Sequence, residues 1–325
     1  MRQFLTTLSA LWIAACIAAF VYSHQQHISS RVALAVTPAF LLELAFYLAA
    51  GFPVVRKQFA ALGSQTLAGA LLAVSGLAPY LIASFGAGTF HTLMFLKLIA
   101  LVMVASFWYV LLRRGLPADL LFLAFMAAVY LKKPFDHIYG RLNPHVSLGI
   151  LGQLMWIHVG LIAVLSLRGL EEARFGFLPT LEEWRVGVKN FVFFLPVGAA
   201  LAYIVQLGQF HFHPGSWWRF ALLLVFTFCG IFWVVSLAEE FFFRAFLQRI
   251  IARTAHSETI GLFTAAVFFG LAHLSFRKFP NWRLAIVSAA LGVFCGLSLI
   301  RARSVRASML THALVATTWR MFFSG

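Results

Sequence analysis

Apolar runs of about twenty residues recur from one end of the chain to the other, and that spacing is what a membrane-crossing helix requires. An apolar run follows Met1-Arg2-Gln3 and continues to Tyr22; others lie at about 32–52, 66–85, 92–112, 119–131, 146–167, 191–207, 219–243, 258–276, 284–300 and 307–323. Turn or charge signals such as Gly51-Phe52-Pro53, Arg113-Arg114 and Lys132-Lys133-Pro134 separate them. With 62% of 325 residues hydrophobic, a soluble globule is excluded. The expected fold is an all-α, polytopic transmembrane helical bundle of ten or eleven helices, the count turning on the short run 119–131. Bounded by Asp119 and the Lys132-Lys133 pair, that run fits a re-entrant or interfacial segment as well as a span.

The N-terminal run resembles a signal peptide up to Cys16, but its hydrophobicity continues past the point where a cleaved mature end turns polar, so it reads as a retained first span. The net charge of +15 comes from short cationic clusters between apolar runs. That placement orients a membrane protein rather than binding nucleic acid, and it puts more Lys and Arg inside when the N-terminus is inside. The cluster Arg277, Lys278 and Arg283 opposes this orientation. The expected location is an integral, multi-pass protein of the plasma membrane, or the inner membrane in a bacterium. Cys16, Cys229 and Cys295 lie far apart in apolar segments, which indicates neither a disulfide framework nor a thiolate metal site.

Carboxylates are scarce: ten in the whole chain. Three of them, Glu43, Glu239 and Glu240, interrupt strongly apolar stretches, where each charge costs about 3 kcal/mol or more. The longest polar stretch, 168–190, holds Glu171, Glu172, Glu182 and Glu183 and divides the chain into an N-terminal transmembrane region, 1–170, and a C-terminal region, 180–325. No internal repeat relates the two, which argues against a transporter built from duplicated halves.

The residues suited to chemistry all follow that divide. Ser236-Leu237-Ala238-Glu239-Glu240-Phe241-Phe242-Phe243-Arg244 continues to Gln248 and Arg253 without Gly or Pro, so one long helix carries them. Glu240 and Arg244 lie one turn apart, acid before base, as a membrane-end ion pair does. Glu239 points elsewhere and has Val235 and Phe243 one turn away, so it lacks a local cation. The next run ends in Phe268-Phe269-Gly270-Leu271-Ala272-His273, and the last contains Thr311-His312-Ala313. Singly, such histidines are packing residues that hydrogen-bond between helices. Together with Glu239 they supply what amide hydrolysis by water needs, a base to take its proton and a donor for the oxyanion.

Glu239-Glu240-x-x-x-Arg244, Phe269-x-x-x-His273 and His312, in that order on successive helices, resemble the CPBP family of intramembrane glutamic proteases, which includes CAAX prenyl endopeptidases and bacteriocin-processing proteins. The resemblance covers about 180–325 and implies an endopeptidase. By it, Glu239 is the general base, His273 holds and polarises the water, and His312 serves the oxyanion. Glu240 and Arg244 shape the site as an ion pair, and Phe269 packs beside the histidine. The implied substrate is a membrane-associated peptide or protein, with the lipid bilayer as surroundings, no nucleic acid and no cofactor. The N-terminal half is a possible surface for a membrane partner. One departure stands out: the family's last motif carries Asn or Asp four residues after its histidine, where this chain has Ala316. Thr311 and Thr317 lie off that face. Ala316 therefore favours a second reading, a non-catalytic immunity or assembly partner with a decayed site.

Two further readings follow from the same residues. Glu239, His273 and His312 are a conceivable zinc set, although the His-Glu-x-x-His spacing of helical zinc proteases is absent. A proton-coupled transporter using Glu43 and the Glu239 pair lacks a repeat or broken-helix signature and ranks last. Glu43 reads as a structural pair, with Lys97 a conceivable partner across helices, ahead of a functional proton site, and His158 and Gln153 line a cavity or bond between helices. His211 and His213, near Trp217 and Trp218, read as an interfacial loop rather than a metal site.

Overall fold

The computed structural model describes residues 1–143, 146–170, 174–212 and 215–324. Glu171, Glu172 and His213 lie outside the described residues. The chain divides into two compact units, Met1–Leu170 and Glu171–Gly325.

In the first unit the helices are α1 (Arg2–Gln25), α2 (Ser30–Gly51), α3 (Pro53–Ala60), α4 (Gln65–Ala87), α5 (Thr92–Leu111), α6 (Leu116–Lys132), α7 (Phe135–Tyr139) and α8 (Gly149–Leu167). A short antiparallel pair, β1 (Arg141–Asn143) and β2 (Val146–Ser147), precedes α8. Polar residues set the helix limits. The Ser29 and Ser64 hydroxyls accept from the backbone N–H groups of Val32 and Leu67, and Gly88 ends α4 at φ 67°, a left-handed conformation that suits glycine. Helix α8 is the core of the unit, packed by α2, α4, α5, α6 and α7. Helix α1 packs on α2 and is tied to it where the Trp12 indole donates to the Leu41 carbonyl at 2.8 Å. The rest of its apolar surface is exposed, as a lipid-facing helix requires. Helix α6 is a 17-residue helix whose first turn is held by Asp119, paired at 3.0 Å with Arg168 just beyond α8. That hydrogen bond keeps the Arg168 guanidinium above its ordinary value.

The second unit holds α9 (Leu181–Ile204), α10 (Trp217–Thr254), α11 (Glu258–Ala272), α12 (Trp282–Ala302) and α13 (Val305–Phe322). Helix α9 begins at Leu181 rather than near 191, inside the polar stretch. Thr180 and Glu183 form a reciprocal capping box that starts it there, with the Glu183 carboxylate accepting from the Thr180 N–H at 2.7 Å. The same carboxylate accepts two bonds from Arg306, at 2.8 and 3.1 Å, which fastens the start of α9 to the start of α13. Small residues bring the helices close. A methyl at Gly187 would sit 2.6 Å from Leu310 Cβ on α13, and one at Gly270 on α11 would sit 2.6 Å from the Ala285 carbonyl on α12. At the other end β3 (Gln209–Phe210) pairs with β4 (Phe323–Ser324), and the His211 N–H donates to the Phe322 carbonyl.

Among the described residues nine helices are long and apolar enough to cross a membrane. The remaining two expected runs are also helical: α6, which is short, and α13, which carries Arg306, His312 and Arg320. The protein is an all-α, polytopic integral membrane protein.

Glu43 is paired, though not with Lys97, the partner the sequence made conceivable. Lys97 is exposed, and Glu43 is bonded instead to His158 at 2.7 Å with both side chains fully buried. A cation on a long flexible stem reaches water more cheaply than it reaches a buried carboxylate, whereas the short imidazole is already fixed in the core.

Candidate active site

Helix α10 is continuous but not uniform. Two π-helical stretches, Ile231–Ser236 and Phe241–Gln248, flank an α turn at Leu237–Glu240. In a regular α-helix residues four apart drift around the axis, and the wider π turns offset that drift. Ser236, Glu240, Arg244 and Gln248 therefore keep to one buried stripe, each at most 1% exposed. The sequence displays this four-residue spacing. From spacing alone, only its Glu240 and Arg244 members stand out as a pair.

Glu240 and Arg244 approach to 3.2 Å, ion-pair distance without hydrogen-bond alignment. The guanidinium also lies 4.1 Å from the centroid of the Phe269 ring, whose face stabilises the buried cation. The other carboxylate oxygen of Glu240 accepts from His312 Nδ1 at 2.8 Å. Arg244, Glu240 and His312 thus form a chain across α10 and α13, and the link from Glu240 to His312 is not readable from spacing. At the start of the stripe the buried Ser236 hydroxyl has no hydrogen-bond partner; at its end the Gln248 amide lies 3.5 Å from the Gly296 carbonyl of α12.

His273 stands at the C-terminal end of α11. Its Nδ1 lies 2.8 Å from the Phe269 carbonyl, which can only accept, so Nδ1 carries a proton and the neutral ring presents a lone pair at Nε2. The Phe269 ring packs against both imidazoles, with centroids 4.7 Å from His273 and 5.6 Å from His312.

Glu239 sits where these elements meet. Its Oε2 is 3.9 Å from His273 Nε2 and 3.9 Å from His312 Nε2. Those separations are too long for direct hydrogen bonds and suit a single water between the groups. The side chains of Glu239 and His273 are 17% and 22% exposed and that of His312 is 6% exposed, while Glu239 Oε2 itself is buried without a hydrogen-bond partner, so the site is closed behind His312 and approached from the Glu239–His273 side. The fold thus brings together Glu239, His273, His312, Glu240, Arg244 and Phe269. Ala316 offers no polar group. The Thr311 hydroxyl is committed to Ser298 and to the carbonyls of Gly187 and Ala307, and the buried Thr317 hydroxyl has no hydrogen-bond partner. Among the described residues no group of three or more His, Cys, Asp and Glu is arranged to hold a metal ion. Two ligands of a tetrahedral zinc stand about 3.3 Å apart, closer than Glu239 is to either imidazole.

No curated protein and no solved structure matches the chain. Residues 216–318 match the family model described as type II CAAX prenyl endopeptidase Rce1-like. That segment, about a third of the chain, runs from the start of α10 through His312 and contains every residue of the cluster around Glu239, so the part of the chain that holds the candidate site is similar to the CAAX-type family of membrane proteases.

Proposed function

We propose that the chain is a glutamic-type intramembrane endopeptidase that hydrolyses a peptide bond of a membrane-associated protein or peptide with an activated water. The observation that carries this reading is the placement of Glu239 Oε2 at 3.9 Å from both imidazole Nε2 atoms, with both Nδ1 atoms already engaged. A water between Glu239 and His273 donates one hydrogen to the carboxylate and one to the Nε2 lone pair, leaving an oxygen lone pair for the scissile carbonyl. As the C–O bond forms, Glu239 takes the proton. It returns that proton to the amine nitrogen when the C–N bond breaks.

His312 serves the oxyanion in its imidazolium form, donating from Nε2. Glu240 accepts from the opposite nitrogen and is itself held by Arg244, which supports the positive ring. Positioned donors of this kind contribute about 3 kcal/mol each in characterised enzymes, so the absence of an amide at 316 lowers the rate this site reaches.

The test uses the full-length protein in proteoliposomes with a prenylated CAAX-type peptide, alongside a comparison of membrane-protein termini between cells with and without the chain. Glu239→Gln, inserted and folded, is expected to lower cleavage by roughly 10²–10⁴-fold in both assays. Undiminished cleavage by that variant overturns the mechanism, and loss of wild-type activity to a strong chelator replaces it with a zinc one.

A second reading rests on Ala316 together with the commitment of Thr311 to other partners: a membrane immunity or assembly factor that no longer hydrolyses. Full complementation of a deletion strain by Glu239→Gln selects it.

A further inference from the structure

The first unit contains a polar centre that the proteolytic reading does not use. Glu43 lies in the middle part of α2, Ser75 in that of α4 and His158 in that of α8, and each of these helices is long and apolar enough to span the membrane. The three side chains are buried and bonded in series. His158 Nδ1 is 2.7 Å from Glu43 Oε1, and His158 Nε2 is 3.1 Å from the Ser75 hydroxyl. The Ser75 hydroxyl in turn lies 2.7 Å from the carbonyl of Leu72.

Counting hydrogens fixes the direction of this chain. The Leu72 carbonyl only accepts, so Ser75 spends its single proton there. The Ser75 oxygen must then accept from His158, which puts a proton on Nε2. With Nε2 protonated, the 2.7 Å contact between Nδ1 and Glu43 holds one more proton, on one side or the other. Placing it on the imidazole creates two buried ions, and Glu43 Oε2 has no hydrogen-bond partner to stabilise a carboxylate. Placing it on Glu43 leaves both groups neutral and every hydrogen in the chain bonded.

The order Ser–His–Glu is also that of a nucleophile, base and orienting acid, and the geometry argues against that use. A nucleophilic serine keeps its proton for the histidine, whereas here it points at a carbonyl. Ser75 lies inside a helix, where backbone N–H groups are bonded along the axis. Pro79, one turn on, frees the acceptor at Ser75 and supplies no donor for an oxyanion.

We propose that the first unit carries a proton-binding site of its own near mid-depth in the membrane, in which Glu43 and His158 hold one shared proton, on Glu43 in the resting pair, and Ser75 fixes the imidazole tautomer. Intramembrane carboxylate–imidazole pairs of this kind are the groups from which proton relays are built. Removing the shared proton leaves an uncompensated negative charge in the core, so deprotonation requires another cation to enter or the unit to open. Among the described residues, phenols lie in electrostatic reach of Glu43: Tyr47 on α2 and Tyr139 on α7 interact with it, and Tyr130 on α6 and Tyr80 on α4 interact with these two in turn. The site lies wholly within the first unit and stands or falls independently of the proteolytic reading.

Infrared difference spectroscopy on the full-length protein in lipid nanodiscs, titrated with pH, tests it. A carbonyl band of one protonated carboxyl group is expected at neutral pH, shifting in deuterium oxide, disappearing in alkali, absent from Glu43→Gln and retained in Glu239→Gln. If Glu43→Gln does not fold, His158→Gln, which leaves the carboxyl but removes its partner, is expected to shift the same band. Spectra of wild type and Glu43→Gln, or of wild type and His158→Gln, that superimpose in the carboxyl region at every pH overturn the proposal. So does labelling of Ser75 by a fluorophosphonate that is lost in Ser75→Ala, which assigns the centre to nucleophilic chemistry instead.

Discussion

The two units each place a glutamate against histidine inside an apolar helical core, and they do so in opposite ways. In the first, Glu43 and His158 touch at 2.7 Å with neither side chain exposed. In the second, Glu239 stands 3.9 Å from two imidazoles and is 17% exposed, while its neighbour Glu240 takes the closed arrangement, bonded to His312 at 2.8 Å and to no solvent. A carboxylate whose partners are all protein groups has nothing left to offer a substrate. A carboxylate held just out of reach of its partners keeps an unbonded oxygen, and α10 achieves this by setting adjacent glutamates on different faces of one helix, Glu240 inward to the stripe and Glu239 toward the two imidazoles.

The largest effect that separates the two kinds of glutamate is on rate. Glu239→Gln keeps size and polarity but removes the base, and it is expected to lower cleavage by roughly 10²–10⁴-fold. Because Glu239 has no hydrogen-bonded protein partner at Oε2, the melting temperature should stay close to that of the wild type. A large loss of stability instead would show that Glu239 is as structural as Glu240. Glu240→Leu reverses the pattern. It strands the buried Arg244 cation and releases His312, and breaking a buried pair in this way costs about 3–5 kcal/mol. Thermal unfolding in detergent reads that loss directly, and a variant as stable as the wild type would mean that Phe269 alone holds Arg244.

Ala316→Asn probes what the open site lacks. An amide four residues beyond His312 lies one helical turn along the same helix, and an additional oxyanion donor contributes up to about 3 kcal/mol, a ceiling of roughly 10²-fold on turnover. The expected result is a higher turnover number with little change in substrate affinity. An unchanged rate would show that His312 alone suffices or that the chain does not hydrolyse.

Much of this is legible in the amino-acid sequence. Run length gave the helices, because a bilayer tolerates few alternatives, and the absence of a cation one turn from Glu239 separated it from Glu240. Periodicity along one helix cannot show what meets across helices. The bond between Glu240 and His312 and the carbonyl of Phe269 behind His273 required three separate helices to be brought together. The capping box at Thr180 and Glu183 was written in the sequence but masked by the charges around it, so α9 was expected to begin too late.

Glu43 is paired inside the core as its position in an apolar run implies, but its partner is His158 rather than Lys97, and this contrast yields the smallest predicted effect. Charge alone selects Lys97 as the partner, since it is the one basic residue within a neighbouring apolar run. Burial selects His158, because an exposed ammonium on a flexible stem gives up hydration and rotamer freedom to reach a dehydrated carboxylate, while the imidazole gives up neither. Lys97→Ala should therefore change stability by no more than about 0.5 kcal/mol. His158→Ala removes the imidazole bonded to Glu43 Oε1 and leaves a gap in the most buried of the spanning helices of the unit, for about 1–3 kcal/mol. Comparing the two by thermal unfolding in the same lipid decides the matter. A larger loss from Lys97→Ala than from His158→Ala would restore the long-range ion pair and remove the contrast between a closed first centre and an open second one.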